Sequence, residues 1–150
     1  GFKKGVKINE LVDGDAMDLT YDDGSFDLVC ATGALHHIPD PRRAISEMIR
    51  VSRKAILVSD GNNFGQGGFF ARSLKQCIDL IRLWKAFDYV RTKGKGYHVS
   101  EADGVYYSYS IFNDYDFIAQ NCHSVHIMNA QKSGRNLYRS AGSIVLLGIK

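Results

Sequence analysis

The stretch GDAMDLTYDDGSFDLVCATGALHHIPDP, residues 14–41, decides the fold. It contains the apolar run Phe26–Ala31, in which only Asp27 is polar, and such a run predicts a buried strand. Asp40 and Pro41 follow and predict the start of a helix, because an aspartate side chain caps free backbone N–H groups and proline suits the first helical position. We therefore expect a strand, a turn and a helix in direct succession.

Apolar patterns predict the remaining elements. The first helix is expected to run to about Val51, and the fully apolar run Ala55–Val58 is typical of a central parallel strand covered on both faces. A broad apolar stripe predicts one long helix over Phe69–Val90. The other expected elements are a strand over Val6–Val12, a hairpin or extended lid over Tyr97–Ser110, a short helix over Asn113–Asn121 capped by Asn113 or Asp114, and two antiparallel strands, Val125–Met128 and Ile144–Ile149, joined by a loop over Ser133–Asn136. This order predicts an open α/β sheet.

The composition is that of an ordinary globular protein. The 150 residues predict a single domain over residues 1–150. Hydrophobic residues make up 45% and charged residues 23%, which excludes a disordered tail. Nineteen Lys and Arg against sixteen Asp and Glu give a net charge of +3, spread along the chain. Nucleic-acid binding is therefore not favoured.

Cysteine spacing and hydropathy predict a cytoplasmic protein that has no membrane span. Cys30, Cys77 and Cys122 are odd in number and lack C-x-x-C spacing, so we expect reduced thiols. The segment Phe69–Val90 contains six charged residues, too many for a bilayer-spanning helix. The first residues, GFKKG, lack the apolar region of a secretion signal and an initiator methionine, so we expect upstream sequence.

Candidate site residues follow the predicted strands, because ligands of open α/β sheets bind beyond the carboxyl ends of the strands. Asp15 lies in a turn, where its carboxylate either accepts a hydrogen bond from an amine of a ligand or bonds its own backbone. The small residues Ala31, Thr32 and Gly33 either let a ligand approach the backbone closely or form an ordinary packed turn. The third segment is Ser59–Asn62, which includes Asp60 and Gly61.

Three segments in this order, GDAMDL (14–19), DGSFDLV (23–29) and ALHHIPDP (34–41), resemble the class I S-adenosylmethionine-dependent methyltransferases, in particular the subgroup that acts on small molecules. The resemblance runs from Gly14 to about Asp60, and beyond it only the element order is shared. It implies a partial Rossmann-like methyltransferase sheet, mostly parallel, with a C-terminal antiparallel strand pair. The chain corresponds to the C-terminal part of that domain, without the N-terminal strands and their Gly-rich loop.

The resemblance implies S-adenosyl-L-methionine as cofactor and transfer of its methyl group to an O, N or C nucleophile of a small molecule. Asp15 would reach the adenine amino group, and the N–H groups of Ala16 and Met17 would face the ring edge. Leu35 and His36 would flank the transferable methyl group. The cofactor-binding residues implied in full are Asp15, Ala16, Met17, Ala31, Thr32, Leu35 and His36.

The pair His36-His37 has several interpretations. His36 is a candidate general base, because imidazole exchanges protons near neutral pH, and His98 is a second candidate. His36 and Asp40 could ligate a metal, but no third ligand is evident, so no metal site is predicted. An acyl-transfer motif is rejected, because the aspartate comes one residue early and Pro41 replaces the required glycine. His37 is expected to be structural.

Residues 97–115 are a candidate lid or substrate-binding insertion. The tyrosines Tyr97, Tyr106, Tyr107 and Tyr109 would form an acceptor pocket, or else belong to an ordinary half-buried sheet. The loop Gly61–Gly68 fails both G-x-G-x-x-G and G-K-[ST], so a flexible loop over a substrate pocket is preferred to a phosphate cradle.

Two other functions stay open. One is a nucleotide-binding oxidoreductase domain that uses Gly61–Gly68. The other is a non-catalytic interaction module that binds a partner through Phe69–Val90. An exposed apolar sheet edge would favour a homo-oligomer.

Overall fold

A computed structural model describes residues 11–129 and 137–150. Its strands are β1 (Phe26–Thr32), β2 (Ser52–Gly61), β3 (His98–Ser100), β4 (Gly104–Tyr106), β5 (Ser124–Asn129) and β6 (Ser143–Ile149). Its helices are α1 (Pro41–Val51), α2 (Phe69–Leu80), α3 (Trp84–Arg91), α4 (Tyr115–Asn121) and the short α5 (Leu137–Ser140), with single 3₁₀ turns at Leu35–His37, Asn63–Gly65 and Ile111–Asn113. Most of the strand expected over Val6–Val12 and the loop expected over Ser133–Asn136 lie outside the described residues.

Four strands form one sheet in the order β1-β2-β6-β5. Strand β1 runs parallel to β2, with Cys30 opposite Leu57, and β6 is antiparallel to both of its neighbours. The predicted α/β fold with a C-terminal antiparallel pair is confirmed. The sheet is mixed within the described residues, because only the β1–β2 pair is joined by a crossover helix.

Helix α1 is the crossover between β1 and β2, and it begins where the sequence predicts. The Asp40 carboxylate accepts a hydrogen bond from the Arg43 backbone N–H at 3.2 Å, and Pro41 occupies the first turn. Ala44, Ile45 and Met48 are buried on the face toward the sheet and join the main core. Helix α1 therefore holds the carboxyl end of β1 against β2.

The expectation that β1 is a buried strand is wrong for the described part of the chain. Val29 and Ala31 pack against the core, whereas Phe26 and Leu28 remain 39% and 49% exposed. Strand β1 is an edge strand of the sheet in the described part of the chain, and α1 covers one of its faces. The apolar run of β1 therefore predicts a strand, but not how many of its side chains other elements cover.

The single long helix predicted over Phe69–Val90 is also wrong, because the chain turns between α2 and α3. Arg82 adopts a φ of +59°, its N–H donates to the Asp79 carbonyl at 2.8 Å, and the Leu83 N–H donates to the Ile78 carbonyl at 3.0 Å. These bonds form a Schellman ending, which usually has glycine at the left-handed position. An arginine there gives no local stop signal.

Helix α2 turns its polar side toward the protein. Lys75 donates from Nζ to the Asn63 carbonyl at 2.9 Å, and Asp79 accepts a 2.8 Å bond from the Tyr138 hydroxyl. The apolar residues face outward, with Phe70 at 85% and Leu74 at 59% exposure. The broad apolar stripe of the sequence is thus a surface of the described structure rather than part of its core.

The loop Gly61–Gly68 is packed in its first half, which corrects the expectation of a flexible loop. The buried Asn62 donates from Nδ2 to the Ala141 carbonyl at 3.0 Å and accepts from the Ser110 hydroxyl at 2.9 Å. Phe64 is buried, and Gly65 lies so close to Ala141 that a side chain would overlap its carbonyl.

No helix in residues 11–129 and 137–150 has the length and apolar character needed to cross a bilayer. The three cysteines are unpaired, as expected.

We predict that Gly65→Ala lowers the free energy of unfolding by about 2–3 kcal/mol, the cost of forcing an extra group into a packed interior. The new Cβ would overlap the Ala141 carbonyl and lie 2.7 Å from Asn62 Nδ2. Urea denaturation measures the change. Gly61→Ala is the control, since its Cβ meets only the Gln66 side chain at 3.6 Å, and its effect should stay within about 0.5 kcal/mol. Equal effects of the two changes would contradict this account of the loop.

Candidate functional site

The candidate site begins where β1 and β2 end. Thr32 lies opposite Ser59 in the parallel register, so the residues that follow the two strands meet at one edge of the sheet. Gly33 turns the chain there with a φ of +60°, and its N–H donates to the Ser59 carbonyl at 2.7 Å. This turn sets His36 beside Asp60, the penultimate residue of β2.

Asp60 holds His36 in place. Its carboxylate is fully buried, and its Oδ1 lies 2.7 Å from His36 Nδ1. Oδ1 also accepts from the Gly61 N–H at 2.6 Å, whereas Oδ2 accepts from the N–H groups of Leu35 at 2.8 Å and His36 at 3.3 Å. Because the carboxylate accepts, the Nδ1 of His36 carries a proton, and the neutral form of the ring has its lone pair on Nε2.

His36 lines a cavity of about 310 Å³. Its Nε2 lies 3.9 Å from the Asp103 carboxylate across this cavity. The other lining residues are Asp60, Gly61, Asn63, Gln66, Arg91, Tyr106, Tyr107, Ser108 and Tyr109. An imidazole with a free Nε2, backed by a buried carboxylate, can take a proton from a group bound in this cavity.

The β3–β4 hairpin closes one side of the cavity, and the prediction of a hairpin is confirmed. His37 Nδ1 lies 2.7 Å from the Val105 carbonyl oxygen, and the Tyr107 N–H donates to the His36 carbonyl at 2.7 Å. These two bonds join the hairpin to the histidine turn. They also give His37 the structural role that the sequence predicts.

The structure separates the four tyrosines predicted for an acceptor pocket. Tyr106, Tyr107 and Tyr109 line the His36 cavity, whereas Tyr97 is not among its lining residues and instead contacts the Tyr107 ring at 6.4 Å. The Tyr109 hydroxyl donates to Asp114 at 3.2 Å, and burial, with the nearby Asp114 charge, raises the pKa of Tyr109 well above its usual value. Tyr109 therefore stays protonated at neutral pH.

His98, the second candidate base, is already bonded. Its Nε2 lies 2.8 Å from Arg91 Nη2 and 3.4 Å from the Asp88 carboxylate, and its ring stacks on Tyr106 at 5.1 Å. Since a guanidinium only donates, the Nε2 lone pair of His98 is occupied. His36 is the better placed of the two imidazoles.

The segment that follows Asp15 packs along α1, the helix that leads away from the histidine turn. The Met17 carbonyl accepts from Arg43 Nε at 2.9 Å in the first turn of α1, and the Leu19 carbonyl accepts from Arg50 in its last turn, so the segment after Asp15 runs down α1 from its N-terminal end. Asp15 is not among the residues that line the His36 cavity.

Two of the cofactor contacts that the resemblance implies are wrong, one in the Asp15 turn and one in the histidine turn. The Met17 N–H donates to Asp15 Oδ1 at 2.8 Å, so it does not face outward toward a ligand. The Leu35 side chain is 1% exposed and packs in the core, so only its backbone N–H, bonded to Asp60, belongs to the site. Ala16 and Thr32 are exposed, and Ala31 packs partly against the core.

Asp60 is a residue of the candidate site to which no sequence motif assigns a role, although it lies in the strand-end segment Ser59–Asn62. The sequence signal for Asp60 is its place at the end of the apolar strand β2, where a carboxylate needs hydrogen-bond donors. Asp103 was missed as well, because nothing local connects the hairpin to the histidine turn.

A larger cavity of about 730 Å³ shares Tyr107, Ser108 and Tyr109 with the first. It lies against the start of α1 and the turn between α2 and α3. Arg42 Nε donates to Asp114 at 3.0 Å beside it. Asp114 occupies the N-cap position of α4, as the sequence predicts, but its carboxylate serves this ion pair and the Tyr109 hydroxyl rather than a backbone N–H of the helix.

Residues 2–57 match the family described as a methyltransferase domain. The chain is 33% identical over 104 residues to the chloroplastic 2-phytyl-1,4-beta-naphthoquinone methyltransferase of Arabidopsis thaliana, an alignment that covers 63% of this chain and 40% of that protein. It is 52% identical over 48 residues to the demethylmenaquinone methyltransferase of Staphylococcus carnosus, covering 32% of this chain and 20% of that protein. The chain therefore spans well under half of either relative.

The fold agrees with these matches. A crystal structure of a SAM-dependent methyltransferase from Thermotoga maritima superposes with a TM-score of 0.55 at 15% identity, covering 93% of this chain and 62% of that one. At this identity the comparison establishes the fold and nothing finer. The predicted Rossmann-like methyltransferase fold is confirmed.

We predict that Asp60→Asn lowers the free energy of unfolding by at least about 2 kcal/mol. Whichever carboxylate oxygen the amide nitrogen replaces, it would face two N–H donors that now lack an acceptor. Urea denaturation measures the loss, and nitrogen NMR of His36 reports whether Nδ1 keeps its proton. Asp103→Asn, at a 59% exposed side chain, is the control and should leave stability nearly unchanged. Full stability of Asp60→Asn would show that the carboxylate is not the anchor of the site.

Proposed function

We propose that this chain, which carries part of a class I S-adenosylmethionine-dependent methyltransferase domain, transfers a methyl group from S-adenosyl-L-methionine to a small-molecule nucleophile. The observation that carries the proposal is the pairing of His36 with the buried Asp60 beside an open cavity. This site lies at the carboxyl ends of parallel strands, where α/β sheets bind ligands. The activity of the whole protein is part of the proposal, since the chain spans only part of its relatives.

The residues at this edge fit the cofactor. Asp15 uses Oδ1 for the Met17 N–H, and its second oxygen suits the amino group of adenine. Around Gly33 no heavy atom lies within 4 Å of the position that a Cβ would take, so a ligand can approach the backbone beside the exposed Thr32. When bound, S-adenosylmethionine would supply a methyl group on its sulfonium, which a nucleophile attacks in line so that S-adenosylhomocysteine leaves as the neutral sulfide.

The chain contributes orientation and proton removal. Alignment of the nucleophile can supply roughly 7–11 kcal/mol of barrier reduction. His36 Nε2 accepts the proton of the bound nucleophile, and the Asp60 carboxylate stabilises the imidazolium that forms while it holds the ring through Nδ1. Tyr106 and Tyr107 form an aromatic wall beside this position.

We infer that the acceptor is an aromatic molecule with an acidic hydroxyl or an acidic carbon. A nucleophile that keeps its proton at neutral pH needs a base, and a free amine does not. Aromatic rings favour flat substrates. The two relatives that are named for quinones support this class. Residues 97–115 would act as the lid over this substrate.

The rival functions have less support. The N–H groups of Gly61, Asn62 and Gly65 already donate within the protein, so they do not form the phosphate cradle that a nucleotide-binding oxidoreductase would need. The interaction-module hypothesis is supported by the exposed apolar residues of α2. A partner-binding surface on α2, which follows the loop Gly61–Gly68, is compatible with catalysis at His36 beside the start of that loop.

We predict that Asp15→Ala weakens the binding of S-adenosylhomocysteine at least about tenfold, on the order of 1.4 kcal/mol for one lost charged hydrogen bond. Isothermal titration measures this. Asp15→Asn retains an oxygen for the Met17 N–H, so it separates the ligand contact from the turn. Asp13→Ala, two residues away, should bind like the unmodified protein. Equal affinity of all four proteins would remove Asp15 from the site.

We predict that His36→Gln lowers kcat at least about 100-fold with a hydroxyl acceptor, because general-base catalysis contributes about 10²–10⁴-fold. The dissociation constant of S-adenosylhomocysteine should change by less than about threefold, because the imidazole acts on the acceptor. The assay follows S-adenosylhomocysteine release over a panel of phenols, quinols and amines. His126→Gln, at an exposed position on β5, is the control. An unchanged kcat for His36→Gln would exclude the base role, and the absence of turnover with every acceptor would count against the enzyme.

A further inference from the structure

His36, His37 and Asp103 form a cluster that the methyl-transfer proposal does not use as a unit. One ring nitrogen of each histidine and one carboxylate oxygen of Asp103 all lie within 4.8 Å of one another. Among the described residues, this is the one cluster of three His, Cys, Asp or Glu side chains whose possible ligand atoms lie this close together. Asp40, the partner that the sequence suggested for His36, instead caps α1.

Both histidines are oriented as metal ligands usually are. His36 directs Nδ1 to the buried Asp60 carboxylate at 2.7 Å, and His37 directs Nδ1 to the Val105 carbonyl at 2.7 Å. In each ring Nδ1 is therefore occupied, and Nε2 is the nitrogen left for a metal. Ligating histidines commonly donate their other N–H to a carboxylate or a backbone carbonyl in this way, which fixes the tautomer and makes the free nitrogen a better donor.

We propose that His36, His37 and Asp103 bind one divalent transition-metal cation of the Zn²⁺ class. Two imidazole nitrogens and one carboxylate oxygen suit Zn²⁺, Co²⁺ or Ni²⁺ better than the all-oxygen sites of Mg²⁺ and Ca²⁺. Three protein ligands leave at least one coordination position open toward the cavity, as in zinc sites that bind a further ligand.

Small movements would complete the site. Ligand atoms at about 2.0–2.1 Å from a tetrahedral zinc lie roughly 3.3 Å apart, so atoms that all lie within 4.8 Å of one another must approach by at most about 1.5 Å. His37 and Asp103 are exposed and can make this adjustment, while His36 stays anchored to Asp60. The Tyr107 N–H bond to the His36 carbonyl already keeps the hairpin next to the histidine turn.

The cation site does not depend on the proposed methyl transfer. It has one consequence for that activity, since the lone pair of His36 Nε2 cannot hold a metal and accept a proton at the same time. Binding is therefore measured directly, without an activity assay.

The test titrates the metal-free full chain with Zn²⁺ by calorimetry and with Co²⁺ by visible absorption. We expect saturable binding of one ion, and a Co²⁺ spectrum typical of nitrogen and oxygen ligands. His37→Ala and Asp103→Asn should each weaken binding roughly tenfold or more, comparable to the losses seen when metal-site partners are removed. Both positions are exposed, so the variants should fold, which circular dichroism checks.

His126→Ala is the matched control, because it removes an exposed histidine from β5, outside the cluster, and should not change binding. Absence of saturable binding would overturn the proposal. So would equal losses in His126→Ala and His37→Ala, which would mean that surface histidines bind the ion without a defined site. Loss of methyl transfer in the metal-free protein, with binding of the added ion retained, would count against the proposed enzyme alone.

Discussion

The buried carboxylate of Asp60 is the constraint on which the candidate site depends. A charge without solvent is costly unless hydrogen-bond donors surround it, and here three backbone N–H groups and the His36 imidazole do so. Those donors come from the end of β2 and from the turn after β1, so one interaction joins the two strand ends and orients His36. The same bond decides which nitrogen of His36 faces the cavity, and therefore which chemistry the ring can perform.

The segment between β2 and β3 is arranged around this edge in an unusual way. Its loop is packed by the buried Asn62 and Phe64, and α2 turns polar side chains inward to hold that loop while its apolar residues face outward. Packing of the loop accounts for the weakness of the phosphate-binding interpretation, because its N–H groups are already used. It also leaves an apolar surface on α2 that is separate from the chemistry at His36.

The family match and the contacts of His36 concern different parts of the chain. The family match covers residues 2–57, which include the Asp15 turn, β1, the histidine turn and α1. Asp60 and the hairpin with Asp103 lie beyond that match, and it is their contacts that orient His36 at the cavity. The family-level function therefore rests on the first third of the chain, whereas the acceptor class and the cation site rest on contacts made by the rest.

The sequence by itself determined the order of β1, α1, β2, the β3–β4 hairpin, α4, β5 and β6, the Asp40 cap of α1, and His36 as a candidate base, but not the division of the Phe69–Val90 segment into α2 and α3. These features depend on interactions within a few residues, so local patterns of apolar, capping and turn residues report them. Only the tertiary structure decided that Leu35 enters the core, that α2 ends at a left-handed Arg82, and that His36 lies between Asp60 and Asp103. The decisive contacts join residues 25 and 68 positions apart in the chain, at Leu35–Asp60 and His37–Val105. No periodicity of a single segment encodes such a pairing, because it forms only when the sheet and the hairpin have closed.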